Sequence, residues 1–174
     1  MAKEKLTADE VKNKLLLGTG RDGRTVFHNA ANLGKLILLQ KIMEWAKENL
    51  TLEEIKNKLL LAIDYMGWNI LHVAAKQGNV AVLHILREWA TERLTAEEIN
   101  KKLLFAREHG GWTVWYLAAL CRRHDFLQWA KEKQTTEEIT KGLCLATDAE
   151  AKITLRQTVL SALDELAKEG KISL

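Results

Sequence analysis

The sequence predicts an all-α protein made of repeated units, and three observations support this prediction. Residues 50–55 read LTLEEI, and the similar segments LTADEV and LTAEEI begin 44 residues before and 44 residues after them. Apolar residues recur at helical spacing, as at Val82, Leu86 and Trp89, which is typical of an amphipathic helix. No stretch alternates between apolar and polar residues for long enough to predict a sheet. A fixed period of this length indicates units that stack on one another.

Composition narrows the class of protein further. Of the 174 residues, 47% are hydrophobic and 28% are charged, which allows a sizeable core and excludes a disordered chain. The 26 Lys and Arg against 23 Asp and Glu leave a net charge of only +3, so composition does not favour nucleic-acid binding. Two cysteines, and the lack of a secretory or membrane-spanning apolar run, predict a reducing, cytoplasmic location away from membranes.

The repeats divide the chain into three units and a cap, all within one domain, residues 1–174. The units cover residues 6–49, 50–93 and 94–133, and the third is four residues short because Trp129 follows Trp89 by only 40 residues. A degraded fourth copy, residues 134–174, keeps an apolar stripe but lacks the alanine pair of the other units. We expect it to be a C-terminal cap, because a stacked array needs a polar-backed final unit to stay soluble.

Each unit begins with a short helix whose start is marked by a threonine. Thr51 and Glu54 have the spacing of a capping box, in which each side chain accepts a hydrogen bond from the other residue's backbone amide. Glu54 also stands four residues before Lys58, a spacing that favours an ion pair on an exposed helix surface. The threonine–glutamate pair recurs at Thr7/Glu10, Thr95/Glu98 and Thr135/Glu138.

A turn and two more helices complete the unit. Asp64 and Gly67 stand at the first and fourth positions of a four-residue turn, as type I turns prefer. A short helix follows, and Gly78 is placed to end it. The last helix is predicted to bury its apolar stripe against neighbouring units.

The turn and the short helix together resemble the ankyrin repeat. The matching positions in the second unit are Gly67, Asn69, Leu71, His72, Ala74, Ala75 and Gly78. Those in the first unit are Gly23, Thr25, His28, Ala30, Ala31 and Gly34, and those in the third are Gly111, Thr113, Ala118 and Ala119. The resemblance implies an ankyrin-like helical solenoid of three repeats.

The chain departs from the ankyrin pattern in three ways. The period is 44 residues where the ordinary repeat has about 33, and the added residues carry the Thr-capped helix. Val26, Ile70 and Val114 replace the proline of the family, and Tyr116 replaces the third histidine. The third unit also lacks the glycine that ends the short helix, which leaves the path of its next turn, within residues 121–125, undefined.

No pattern in the chain indicates catalysis, a metal site or a cofactor. The resemblance implies that His28 and His72 are structural histidines, which tie the turn to neighbouring backbone. No His or Cys pair has metal-ligand spacing, and the glycine-rich residues 18–23 align with the turns of the later units. Cys144 aligns with core leucines and is expected in the core. We therefore predict a non-enzymatic protein.

The tryptophans fall into two groups. Four are predicted to lie in the core, since they recur at one position of the last helix or align with a buried position of the family: Trp45, Trp89, Trp129 and Trp115. Trp68 and Trp112 align with Arg24, at a position that the resemblance places on the turn, facing outward.

The resemblance also implies five partner-contact positions in each unit, on the turn and at the end of the short helix. These fifteen are Arg21, Asp22, Arg24, Asn32, Leu33, Tyr65, Met66, Trp68, Lys76, Gln77, His109, Gly110, Trp112, Leu120 and Cys121. Ten are taken as the predicted binding residues: Arg21, Arg24, Leu33, Tyr65, Met66, Trp68, Gln77, His109, Trp112 and Leu120. Seven of the fifteen are apolar or aromatic, and a surface that only had to be soluble would not cluster such side chains.

The sequence therefore predicts a protein-binding module that is a monomer when unbound and binds another protein, not nucleic acid, along the concave surface of the array. One alternative is a designed repeat scaffold without a natural ligand, which the near-identical units and the lack of proline favour. A second alternative is that the added helix folds over the contact positions and buries them.

Overall fold

The computed structural model describes residue 7 and residues 11–121 of the chain. These residues form helices and turns, and none of them belongs to an extended strand, which confirms the all-α class. The predicted cap, the fourth capping box, Trp129, Cys144 and most of the turn in residues 121–125 lie outside the described residues. So does Glu10, the second residue of the capping box predicted at Thr7.

Among the described residues, the second unit shows the full order of helices, and the helices seen in the first and third units follow the same order. The first unit contains the π-helix π1 (Val11–Leu16), α1 (Val26–Asn32) and α2 (Leu36–Asn49). The second contains α3 (Leu52–Glu54), π2 (Ile55–Leu60), α4 (Ile70–Gln77) and α5 (Val80–Thr91). The third contains α6 (Ala96–Glu98), π3 (Ile99–Leu104) and α7 (Val114–Leu120).

The Thr-capped helix of the second unit is α-helical for only one turn and then widens into π2. The predicted capping box is present: Glu54 N donates to Thr51 Oγ1 over 3.2 Å, and Thr51 N donates to Glu54 Oε2 over 2.9 Å. Beyond it, Leu61 N donates to the carbonyl five residues earlier. This wider turn brings residues four and five apart onto one side of the helix, so Ile55 buries its side chain together with Leu59 and Leu60.

The capping glutamates also join neighbouring units. Lys12 Nζ lies 3.0 Å from Glu54 Oε2, and Lys56 Nζ lies 2.7 Å from Glu98 Oε1. The hydrogen bond from the Thr51 amide, together with the ion pair to Lys12, lowers the pKa of Glu54 to about 2. Glu54 thus pairs with a lysine of the preceding unit, in addition to closing its own capping box.

The short helices α1, α4 and α7 pack side by side, and each of the first two also packs against the long helix that follows it. Asn69 caps the start of α4, and its Nδ2 donates to the carbonyl oxygens of Lys102 and Leu103 at the end of π3. This side chain supplies partners for helix-terminal carbonyls that no intrahelical amide reaches. Gly78 ends α4 in the left-handed conformation, with φ of 68°, as predicted.

The core lies between consecutive units. Trp89 is 2% exposed, and its ring centroid is 5.0 Å from that of Phe27 in the first unit, while Trp115 is fully buried. The core prediction is confirmed for these two tryptophans and is wrong for Trp45, which is 37% exposed. Trp45 occupies the position of Trp89, but it belongs to the first unit, and no described unit lies against its ring as the first unit lies against that of Trp89.

Candidate functional site

Three turns, which we call fingers, project from the units at residues 19–25, 63–69 and 107–113. In the second finger, Gly67 N donates to Asp64 O over 2.9 Å, which closes the predicted turn. Gly67 has a φ of 79°, and a Cβ there would lie only 2.9 Å from Cδ2 of His109. The position therefore requires glycine, both because of its backbone conformation and because the next finger packs on it.

Backbone hydrogen bonds join the fingers to one another. Tyr65 N donates to Asp22 O over 3.0 Å, and His109 N donates to Met66 O over 2.9 Å. Neighbouring fingertips are therefore held at a fixed separation, and the side chains on them share one edge of the molecule.

A buried carboxylate organises each of the later fingers. Asp64 Oδ1 accepts from the backbone amides of Met66 and Trp68, both over 2.9 Å. Its other oxygen accepts from Arg24 Nε of the preceding finger over 3.1 Å. Arg24, one of the predicted binding residues, is consequently half-buried, and its guanidinium group is engaged within the protein.

The predicted outward orientation of the Trp68 ring is wrong. Its side chain is 7% exposed, and its indole Nε1 donates to Glu108 Oε2 of the third finger over 3.3 Å. The ring lies beside that of His72, with centroids 6.4 Å apart and planes tilted by 38°, and Lys76 Nζ lies 4.9 Å from the Trp68 ring centroid. Trp68 thus repeats the role of Arg24, because both side chains reach the acidic residue of the next finger.

The two aligned histidines are structural, as the resemblance implied. His28 Nε2 donates to Trp68 O over 3.1 Å, and His72 Nε2 donates to Trp112 O over 3.3 Å, so each imidazole holds the base of the next finger. Burial lowers the pKa of His28, and it lowers the pKa of His72 to about 4. Both rings are therefore neutral at pH 7, which is consistent with one nitrogen donating and the other accepting.

The ends of the short helices bring the remaining contact positions beside the fingers. Gln77 Nε2 donates to Asn32 Oδ1 over 2.9 Å, which joins the ends of α4 and α1. Leu33 and Leu120 are 61% and 50% exposed, and Cys121 is half-buried. Arg21 and His109 are exposed at the tips of the first and third fingers.

Trp112 is intermediate between a core and a surface residue. It is 37% exposed, and its ring stacks on Tyr116 with centroids 5.0 Å apart and planes 19° from parallel. One face of the indole is therefore fixed by the protein, while part of the ring remains accessible to a partner.

The exposed apolar side chains of the fingers and short-helix ends form what we call the apolar strip: Leu33, Tyr65, Met66, Trp112 and Leu120. Tyr65 and Met66 are the most exposed large apolar side chains on the fingers, at 69% and 58%. The Thr-capped helices in the described part of the chain therefore do not bury these positions. Sequence reasoning missed Ile63, which is 57% exposed at the base of the second finger, because residue types at that position vary among the units.

The described residues contain no group of three or more His, Cys, Asp or Glu side chains that could hold a metal ion. Within the same part of the chain, no helix combines the length and the apolar character that crossing a membrane requires. No known family model matches the sequence, and no curated protein is significantly similar to it. The functional conclusion consequently depends on the geometry of the apolar strip.

Proposed function

We propose that this chain is a non-catalytic protein-binding module, an ankyrin-like solenoid that binds another protein along the apolar strip. The observation that supports this most is the exposure of Tyr65 and Met66 at the tip of a finger that is held by hydrogen bonds on both sides. Large apolar side chains on a rigid support lose little conformational freedom when a partner covers them.

The composition of the strip fits a protein surface as its partner. Tyrosine, tryptophan and methionine are enriched in the cores of protein interfaces, and arginine joins them. Arg21, Gln77 and His109 lie around the apolar side chains and supply hydrogen-bonding groups for a polar rim. The small net charge of +3 gives no reason to prefer nucleic acid. We place this binding in the cytoplasm, as the cysteine content suggests.

The proposal is tested by capture from cell lysate, identification of the retained protein, and measurement of its affinity for matched variants. The double change Tyr65→Ala/Met66→Ala should weaken binding at least about thirty-fold, because buried interface anchors cost about 2 kcal/mol or more when truncated. Leu52→Ala is the control, since Leu52 is 61% exposed but lies on the Thr-capped helix, outside the strip.

Equal binding by both variants would place the interaction elsewhere on the surface. The absence of any saturable capture would instead favour the second candidate, a repeat scaffold without a natural ligand. That candidate draws its support from the near-identical framework of the units.

A further inference from the structure

The first unit exposes apolar positions that are buried in the second. Leu15 is 50% exposed where its equivalent Leu59 is fully buried. On α2, Leu38 is 43% exposed where the equivalent Val82 is fully buried, and Trp45 is 37% exposed where Trp89 is 2% exposed. We call the surface of Leu15, Leu38 and Trp45 the open face; it includes a groove of about 530 Å³ along α2.

The second unit shows what covers such a surface. There the first unit packs on the equivalent positions, and the Phe27 ring lies against Trp89. The open face has the shape and chemistry of a stacking surface between helical units, but no described unit occupies it. The matching partner is therefore another helical surface of the same kind.

Charges along α2 select how a second helix can lie on it. The groove is lined by Leu38, Ile42 and Trp45 and is flanked by Lys41, Glu44 and Glu48. Lysine thus precedes the two glutamates along the helix. A parallel copy of α2 would place equivalent charges side by side, whereas an antiparallel copy places Lys41 of each molecule near Glu44 of the other and also opposes the two helix dipoles.

We propose that the open face is the interface of a homodimer, in which two copies of α2 lie antiparallel about a two-fold axis. In this arrangement Trp45 of one copy packs near Leu38 of the other, and each copy contributes the same surface. Such an interface closes on itself and stops at two molecules. A dimer through this face departs from the monomer predicted from the sequence, and it leaves the apolar strip free.

Analytical ultracentrifugation of the full chain over a dilution series tests the proposal. The wild-type protein should show a reversible monomer–dimer equilibrium. Leu38→Glu should raise the dimer dissociation constant at least about thirty-fold, because it places a charge in the apolar centre of the interface. Leu52→Glu should leave the constant unchanged, since it makes the same chemical change at an exposed leucine outside the open face. Thermal melts of the variants verify that each is folded.

A charge reversal tests the orientation of the two helices. Lys41→Glu should weaken the dimer by placing acidic groups beside the Glu44 side chain of the other copy, and the double change Lys41→Glu/Glu44→Lys should restore it. A wild-type chain that stays monomeric throughout its soluble range would overturn the proposal. So would a dimer that tolerates Leu38→Glu, or assemblies that grow beyond two molecules, which would indicate head-to-tail stacking of units.

Discussion

At the scale of single residues, the link between fingers depends on side chains that reach 40 residues forward. Arg24 makes a charged hydrogen bond to Asp64, and Trp68 makes a weaker one from its indole to Glu108. Both acceptors also hold backbone amides of their own finger. The same geometric role is therefore filled by a cation in one unit and by a large aromatic side chain in the next.

This explains why the outward prediction failed for Trp68 but not for Tyr65. Alignment of the units predicts the backbone position of a residue, and residue 68 does lie on a finger. Whether the side chain remains exposed depends on Glu108, which belongs to the third finger, and on Lys76, which lies near the end of α4. No long-range acceptor binds the Tyr65 side chain within the described part of the chain, and this side chain is 69% exposed.

The buried histidines predict that the protein loses stability as the pH falls below neutral. Burial holds the pKa of His72 at about 4, whereas an unfolded histidine titrates near 6.5. The unfolded chain thus binds more protons between these values, and stability is fully present above pH 6.5 and declines as the pH falls toward 4. We expect a loss of about 2 kcal/mol in the free energy of unfolding between pH 7 and pH 5, with His28 acting in the same direction.

Urea unfolding at the two pH values measures this effect. His72→Gln should reduce the dependence on pH, whereas His84→Gln, at an exposed position of α5, should preserve it. The capping glutamates have folded pKa values of about 2, so their contribution is lost mainly as the pH falls below their unfolded value of about 4.5, and most of the change between pH 7 and pH 5 comes from the histidines. A free energy of unfolding that is equal at pH 7 and pH 5 would contradict the buried, neutral state of His72.

At the scale of elements, equivalent helices differ because of their position in the array. The spacing of apolar residues predicted α2 and α5 correctly. The threonine–glutamate spacing predicted the capping boxes at Thr51 and Thr95. The same spacing could not distinguish an α-helix from a π-helix over residues 55–60, because apolar positions four residues apart fit both. Nor could it predict that Trp45 is exposed, since its local sequence resembles that around Trp89.

Trp89 and Trp45 form a matched pair that measures packing between units. Trp89→Ala should lower the free energy of unfolding by about 3–5 kcal/mol, because it leaves a cavity beside Phe27 in the core. Trp45→Ala should cost less than half as much, because its side chain is 37% exposed and leaves a smaller cavity. The comparison is made by denaturant titration of protein that is dilute enough to be monomeric. Equal losses in the free energy of unfolding would mean that Trp45 and Trp89 are equally buried, which would contradict this account.

At the scale of the whole molecule, three kinds of contact join neighbouring units, and each kind recurs along the array. Ion pairs link the Thr-capped helices, histidines and side-chain hydrogen bonds link the fingers, and apolar contacts link the helices. The side chains at the fingertips take no part in these contacts and are exposed. An array stiffened in this way can present the apolar strip as a single preformed surface, which limits the entropy lost on binding.

The most direct test of this account compares Trp112→Ala with Trp68→Ala, measuring stability and partner affinity on both. Trp112→Ala should weaken binding at least about thirty-fold and lower the free energy of unfolding by about 1 kcal/mol. Trp68→Ala should have the larger effect on stability and lower the free energy of unfolding by about 3 kcal/mol or more. The reason is that it leaves a cavity at a buried position and removes the hydrogen-bond donor to Glu108. A variant at Trp112 that binds normally, or one at Trp68 that remains as stable as the wild type, would contradict the division between binding strip and structural link.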